Sequence, residues 1–506
     1  MKKMKESIPL RQKNLSLLPS SLSVPSYDRS QITAGIVHIG VGGFHRAHQA
    51  YYTHRLMEKG IGTNWGICGV GLRGGDRKIK EVLEEQDYLY TLIVRHPDGR
   101  VENEVIGSIV DFLLSADDAE AIIEKLASPE IKIVSLTITE GGYNFNPTTA
   151  EFDFDNQDVQ YELAHPESPQ TVFGFLCAGL KKRMEAGIPA FTIQSCDNLQ
   201  HNGAVAKKML LAFANRLDSK LAEWIETNVS FPNAMVDRIT PVSTSLDIEY
   251  LESTLSLSDK WPVTCEPFCQ WVIEDNFSDS RPDWEQVGAQ FVPDVTPYEK
   301  MKIRLLNAGH SVLGLLGSLY GYDTIDACMQ DSLFVKFLRQ FMDIEATPVL
   351  DPVPGIDLDS YKDSLLERFA NPNIKDKLSR ICLESSAKLP KFLIPTIREN
   401  LLREGSIEYA TLVLAAWCYY SDKGVDQHGR ELEIIDAMKE TLHLAASQSE
   451  ADKNAFLKLT AIFGDLGANP HFVAQYQSLL ALIYDNPNTM IHMQQIIQNK
   501  GSEINT

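Results

Sequence analysis

The mostly apolar stretch "KIRLLNAGHSVLG" (302–314), apolar enough for a buried helix, holds a lysine, an asparagine and a histidine: Lys302, Asn307 and His310. A lysine in such surroundings needs a partner or a cavity. Desolvation that brings its ammonium toward neutrality makes it a base able to take an alcohol proton. An asparagine amide can donate to the alkoxide that develops, or to a carbonyl oxygen. Asn198, in "SCDNLQHNG" (195–203), is a second amide placed after an apolar run. His310 would hold the reacting oxygen and a neighbouring hydroxyl. The set suits removal of a hydroxyl proton while hydride leaves the same carbon for a nicotinamide, with no metal ion. The alternative is a core helix on which Lys302 snorkels and the other two cap locally.

These residues need a helix to carry them. "TPYE" (296–299) reads as a capping box, with Thr296 at the N-cap, Pro297 in the first turn and Glu299 reaching back. At about 100° per residue, Lys302, His310 and Asn307 fall at roughly 0°, 80° and 140°, one broad side of the helix.

A dinucleotide needs a different framework, and the first half of the chain supplies its pattern. Apolar runs at 35–40, 65–72, 88–95, 131–139 and 190–196 alternate with helical spacing at 43–60, 76–86, 117–128 and 171–187. Such alternation predicts an α/β fold with a parallel sheet covered on both faces. After "GIVHI" comes Gly40-Val-Gly42-Gly43-Phe44-His45-Arg46 and a helix, the context in which a helix N-terminus takes a pyrophosphate. The third glycine of the usual fingerprint is His45, and a strand-to-helix turn that needs glycine only for its geometry explains the same letters. Asp76 follows the second run, where an acidic residue binds ribose hydroxyls and selects NAD. It would equally serve as a helix N-cap, and Arg73 and Arg77 beside it leave NADP open. "TITEGGYN" (137–144) ends a further run and would bring Thr139 and the Gly141–Gly142 backbone close to a cofactor; a glycine-rich turn is the plainer explanation. Asp197 and Asn198 are also good turn formers. Asp237 in "MVDRITP" reads as a site carboxylate or as half of a surface Asp–Arg pair.

Residues 1–34 look like an irregular, Ser- and Pro-rich lead-in. From about 297 the spacing becomes helical, at 301–320, 332–344, 360–370, 376–384, 408–421, 430–447 and 452–464. The expected division is 1–294 for a Rossmann-type dinucleotide-binding domain and 295–506 for a mainly α-helical substrate and catalytic domain.

Composition narrows the partners. The 506 residues carry 47 Lys and Arg against 68 Asp and Glu, a net −21 that repels nucleic acid and anionic membrane surfaces. Eight cysteines stand singly; Cys265 and Cys269 lack the further ligands of a zinc site. No apolar run approaches a membrane span. A cytoplasmic protein, monomeric or weakly homo-oligomeric, with a small-molecule substrate is expected.

Together "GIVHIGVGGFHRAHQA", "WGICGVGL", "VSLTITEGGYN", "SCDNLQHNG", "MVDRITP", "CEPFCQWVIEDNF" and "KIRLLNAGH" resemble the polyol-specific long-chain dehydrogenases, and "RICLESSAKLP" (380–390) extends the likeness. The resemblance implies a Rossmann-type domain, a helical domain and a metal-free site in the cleft between them. It implies Lys302 as base, Asn198 and Asn307 as oxyanion donors and His310 as positioning group. Asp237 and Arg380 would bind substrate hydroxyls, and Glu299 would pass protons between Lys302 and solvent. Cofactor contacts would come from Gly40, Gly42, Gly43, Phe44, His45, Arg46, Asp76 and Thr139. The expected reaction is NAD-dependent interconversion of a polyol and its ketose, D-mannitol and D-fructose first. A hexuronate reductase, an arabinitol or sorbitol dehydrogenase, and a non-catalytic nucleotide-binding regulator are the alternatives.

Overall fold

The computed structural model describes residues 7–146 and 151–503, with side chains through 499. It divides into two compact units, Met1–Val295 and Thr296–Thr506.

The strands of the first unit run in chain order as β1 (Ala34–Ile39), β2 (Gly66–Gly71), β3 (Tyr90–Arg95), β4 (Val101–Ile106), β5 (Ile109–Leu114), β6 (Ile133–Leu136), β7 (Thr192–Ser195), β8 (Ala234–Asp237), β9 (Val263–Cys265), β10 (Gln270–Glu274) and β11 (Gln290–Val292). The central sheet has the order β5-β2-β1-β6-β7, every pairing parallel. That is the doubly wound Rossmann arrangement, so the expected α/β fold class is observed. Its strand order reverses between β1 and β6, where ligands of such sheets bind beyond the strands' carboxyl ends. Ile36 to Ile39 pair in register with Ile133 to Leu136, so the segments after both strands leave the sheet side by side. β2, β6 and β7 are buried throughout, as strands covered by helices on both faces must be.

Two three-stranded sheets and a two-stranded pairing complete the unit. The apolar run at 88–95, read above as one more strand of the alternating series, is instead β3 in a separate sheet, β9-β3-β4, paired antiparallel with β4. Alternation along the chain signals strands but not which sheet they join. β11-β10-β8 is the other three-stranded sheet. The lead-in is also more ordered than its composition suggested. Ile8–Pro9 pairs with Leu257–Ser258, and Leu10, Leu15 and Leu22 are buried against Leu89, Ile93, Val105 and Leu251.

The second unit is helical. The expected helix at 301–320 is built from Thr296–Lys302, a π turn at Ile303–Asn307 and Ala308–Tyr320. Its first residue is Thr296, the residue expected to cap it from outside. Ser332–Gln340 also runs into a π turn, Phe341–Ala346. Leu358–Phe369 and Glu408–Lys423 lie where the spacing put them. The run at 430–447 is helical only over Lys439–Ser447, and 452–464 breaks into short turns. Helices at Ser385–Phe392, Ile394–Leu402, Pro470–Asp485 and Thr489–Glu503 were not anticipated. Thr489 Oγ1 donates to the Leu316 carbonyl (3.0 Å), tying the last helix to Ala308–Tyr320.

Candidate active site

The candidate residues form two sets, one on each unit. On the first, the glycine turn separates into positions the protein needs and positions it does not. Gly40 has φ +94°, and a Cβ there would lie 2.2 Å from the Thr137 carbonyl oxygen. Only glycine tolerates both the left-handed backbone and that approach. Gly42 is different: its φ is −110°, and an added Cβ would meet nothing nearer than the Gly40 oxygen at 3.9 Å. At Gly43 the nearest atom would be Thr240 Cγ2 at 3.7 Å. The purely geometric explanation of the turn accounts for Gly40 and leaves Gly42 and Gly43 for a ligand approaching the exposed backbone. The helix that follows is shorter than expected. It runs Gly43–Ala47, breaks at His48, and resumes as Gln49–Glu58.

Phe44 reaches the surface of the turn, whereas the His45 and Arg46 side chains are 1% exposed. Arg46 donates to the Trp261 carbonyl (2.6 Å) and lies over the Tyr90 ring, so its guanidinium points at the second sheet. His45 stacks on His38 with ring centroids 3.4 Å apart. His38 is held by Ser135 Oγ and Thr137 Oγ1, both at 2.8 Å. Burial pushes the His38 imidazole down to about 3 and His45 well below its ordinary value, so this pair stays neutral. The two side chains shape the turn from beneath rather than facing a ligand.

Asp76 sits against Gly71 at the end of β2, and its Oδ2 accepts the Arg73 N–H (2.9 Å). It precedes the helix Arg77–Glu85 but makes no side-chain cap on it, unlike the expected N-cap. Arg77, the cation that left NADP open, donates to Asp117 Oδ1 at 2.7 Å, and Lys80 reaches the same carboxylate at 3.5 Å.

Beyond β6, Thr139 has φ +61° and is exposed, and Asn198, beyond β7, is exposed too. Between them lies a residue the sequence reading passed over as a turn former. Asp197 is buried, and its carboxylate accepts N–H groups from Ile138 and Thr139 (3.1 and 2.8 Å) and the Tyr143 hydroxyl (2.8 Å). Asp237 closes β8 and is 4% exposed. The surface Asp–Arg pair is not found, because Arg238 is buried as well. It donates to the Ala47 and Glu266 carbonyls and stacks on Tyr51. Asp197 and Arg238 carried no signal beyond their types; one is inseparable from a turn by letters alone, the other from a surface cation.

On the second unit, Glu299, Lys302 and Asn307 are 3%, 7% and 7% exposed, and the His310 ring lies 4.6 Å from that of Phe369. The π turn corrects the angular placement given above. An i→i+5 bond, from the Ala308 N–H to the Ile303 carbonyl, takes up one extra residue. Relative to a straight helix, that rotates the residues after it back by about 100°. Asn307 then stands at roughly 40° and His310 at roughly −20° from Lys302. The three occupy one narrow stripe instead of half the helix. Arg304, on another face, pairs with Glu399 (2.7 Å). Arg380 is in the short helix Leu378–Ile381, which packs on Ala308–Tyr320 one turn beyond His310, where a Cβ at Gly314 would meet Ile381 Cγ2 at 2.9 Å, and Asp376 grips its guanidinium through two nitrogens.

No group of three or more His, Cys, Asp and Glu is arranged to hold a metal ion among the described residues, and none of their helices is long and apolar enough to cross a membrane.

The chain matches the family models for the mannitol dehydrogenase Rossmann domain over residues 34–286 and the mannitol dehydrogenase C-terminal domain over 294–484. A mannitol 2-dehydrogenase of Aspergillus fumigatus is 45% identical over 468 residues, 90% of this chain and 93% of that protein. Among solved structures, the Pseudomonas fluorescens mannitol 2-dehydrogenase ternary complex with NAD and D-mannitol superposes with TM-score 0.88 at 48% identity, covering 97% of this chain and 100% of that one. A D-sorbitol dehydrogenase in substrate-free form gives TM-score 0.88 at 38% identity, covering 96% and 100%.

Proposed function

This chain belongs to the mannitol dehydrogenase family, and we propose that it is an NAD-dependent oxidoreductase interconverting a polyol and its ketose, D-mannitol and D-fructose first. In this reading residues 1–294 hold the dinucleotide and 295–506 carry the base. The observation that supports it most is the π turn, which aligns buried Lys302 with Asn307 and His310 on a chain whose β1 turn keeps Gly42 free of any packing need.

When bound, NAD would supply the hydride acceptor for the carbinol carbon. The exposed backbone of Gly42 and Gly43 would lie along the pyrophosphate, with Phe44 beside it and Thr139 across the switch point. Asp76 would accept the ribose hydroxyls. Arg77 is already engaged by Asp117, which supports NAD over NADP.

Lys302 Nζ takes the hydroxyl proton as the carbon–oxygen double bond forms. Asn198 and Asn307 donate amide hydrogens to that oxygen, which is most anionic near the transition state. His310 fixes the same oxygen and the next hydroxyl. Glu299, one turn before Lys302, returns the proton to solvent. Asp237 and Arg380 hold further hydroxyls. The lysine and two amides supply both base and polarisation, so the step needs no metal ion.

The test is cofactor reduction or oxidation with a panel of D-mannitol, D-arabinitol, D-sorbitol, D-fructose, fructuronate and tagaturonate. Turnover of mannitol and fructose is expected. Turnover of the uronates alone would overturn the substrate, and binding of NAD without any turnover would favour a regulator. Lys302→Ala should lower kcat by ~10²-fold or more; near-full activity in that variant refutes the assigned base.

A further inference from the structure

Thr139 is a β-branched residue with φ +61°. In the left-handed region such a side chain crowds its own backbone, and the conformation persists only where surrounding contacts over-determine it. The contacts here converge on one group. Asp197, 7% exposed, receives the Thr139 N–H on Oδ1 and the Ile138 N–H on Oδ2. The Tyr143 hydroxyl, fully buried and also 2.6 Å from Ser195 Oγ, donates to Oδ2 and fixes the carboxylate from the far end of the same segment. The Asp197 carbonyl accepts from Asn202 Nδ2, and Asn202 clasps both the N–H and the carbonyl of Ala234 at the start of β8. One carboxylate therefore ties the segment after β6 to the segment after β7, with a backbone link to the strand that ends in Asp237.

The tie also reaches the glycine turn. Gly40 packs against the Thr137–Ile138 peptide, and Thr137 Oγ1 donates to the Gly40 carbonyl at 2.7 Å. If Thr139 relaxed to an ordinary backbone, its N–H would swing away from Asp197 and the peptide against Gly40 would move with it.

We propose that Asp197 is a positioning residue for the dinucleotide: it holds Thr139 in the left-handed conformation that sets the 137–142 segment against the Gly40–Gly43 turn. This rests on the reading that these two segments line the cofactor site. A carboxylate is required because two backbone N–H groups arrive on different oxygens; an amide at the same place turns an NH2 toward one of them.

The experiment measures NADH affinity without substrate, by fluorescence titration, in the parent, Asp197→Asn, Thr139→Gly and the double variant. Asp197→Asn should weaken NADH binding roughly tenfold and raise the KM for NAD while leaving that for the polyol in place. Glycine carries no penalty at positive φ. Thr139→Gly removes a side chain assigned to the cofactor and has its own effect on the parent. It also removes the strain that Asp197 restrains, so Asp197→Asn should cost severalfold less NADH affinity in the Thr139→Gly background than in the parent. Parent-like NADH binding by Asp197→Asn, or an Asp197→Asn effect as large in the Thr139→Gly background as in the parent, overturns the proposal. Should Asp197→Asn not fold, Tyr143→Phe removes one donor from the same carboxylate. It should weaken NADH severalfold in the parent and less in the Thr139→Gly background, and an absent effect, or one equal in both backgrounds, also overturns the proposal. A parent that binds neither NADH nor NADPH removes the cofactor reading and this role with it, a result distinct from failure of the variants alone.

Discussion

Glu345 offers a test of the helical unit that needs no ligand. It lies in the second π turn and is fully buried. Its carboxyl accepts N–H groups from Tyr409 and Ala410, at the start of the helix Glu408–Lys423, and the Ser406 hydroxyl. Burial raises it from 4.5 to about 8, with the nearby Glu408 charge adding to the shift and the three hydrogen bonds opposing it. Between these two values the folded protein keeps the proton that the unfolded chain has released. The stabilisation from this group is therefore complete below pH 4.5 and is lost as pH rises to about 8. At about 1.4 kcal/mol per unit, the interval of 3.5 units amounts to about 5 kcal/mol. Glu345→Gln cannot titrate. Its amide leaves one backbone N–H without an acceptor, a cost of about 1–3 kcal/mol. The variant should be the less stable protein at pH 5 and the more stable at pH 8.5, with the two curves crossing near pH 6. Urea unfolding at a series of pH values, read by fluorescence, measures this. Five of the six tryptophans lie at or before residue 284, and the other, Trp417, is on the helix that Glu345 caps. Parallel curves for parent and variant would refute the account of this carboxyl.

Two further outcomes follow from the first unit. Asp117→Ala should release Arg77 and Lys80 and tighten NADPH relative to NADH in direct titration, by a factor that shrinks with added salt. The gain should vanish when Arg77→Ala is combined with it, and a gain that survives the combination would mean Arg77 is not its source. Gly40→Ala should lower the thermal midpoint, because its Cβ meets the Thr137 carbonyl at 2.2 Å. Gly42→Ala should fold with an unchanged midpoint and lose NADH affinity; a falling midpoint at Gly42 would return that glycine to the protein's own geometry.

How much was readable in the sequence differs by scale. Strand-to-helix alternation gave the α/β class because each buried strand must be an apolar run and each covering helix must show its own period. Which sheet β3 joins was not readable, since its letters match those of a central strand. The Lys302 stripe was half legible. The residue types pointed to alcohol chemistry, but a π turn leaves no mark in composition, and regular spacing spread the three residues over 140°. Asp197 and Arg238 were hidden for another reason. Their importance lies in backbone groups they contact, and those contacts join segments remote in the chain, such as Ala47 to Arg238.

The bond from Thr489 to the Leu316 carbonyl spans 173 residues of sequence. During synthesis the segment bearing Asn307 and His310 leaves the ribosome long before its buttress exists. At about 5–20 residues per second it waits on the order of ten seconds or more with part of its apolar surface open to water. The helical unit is therefore the stage at which a nascent chain of this protein most needs shielding. A premature stop just before Thr489 would leave the first unit's sheets complete and the helix of the Lys302 stripe without its final cover.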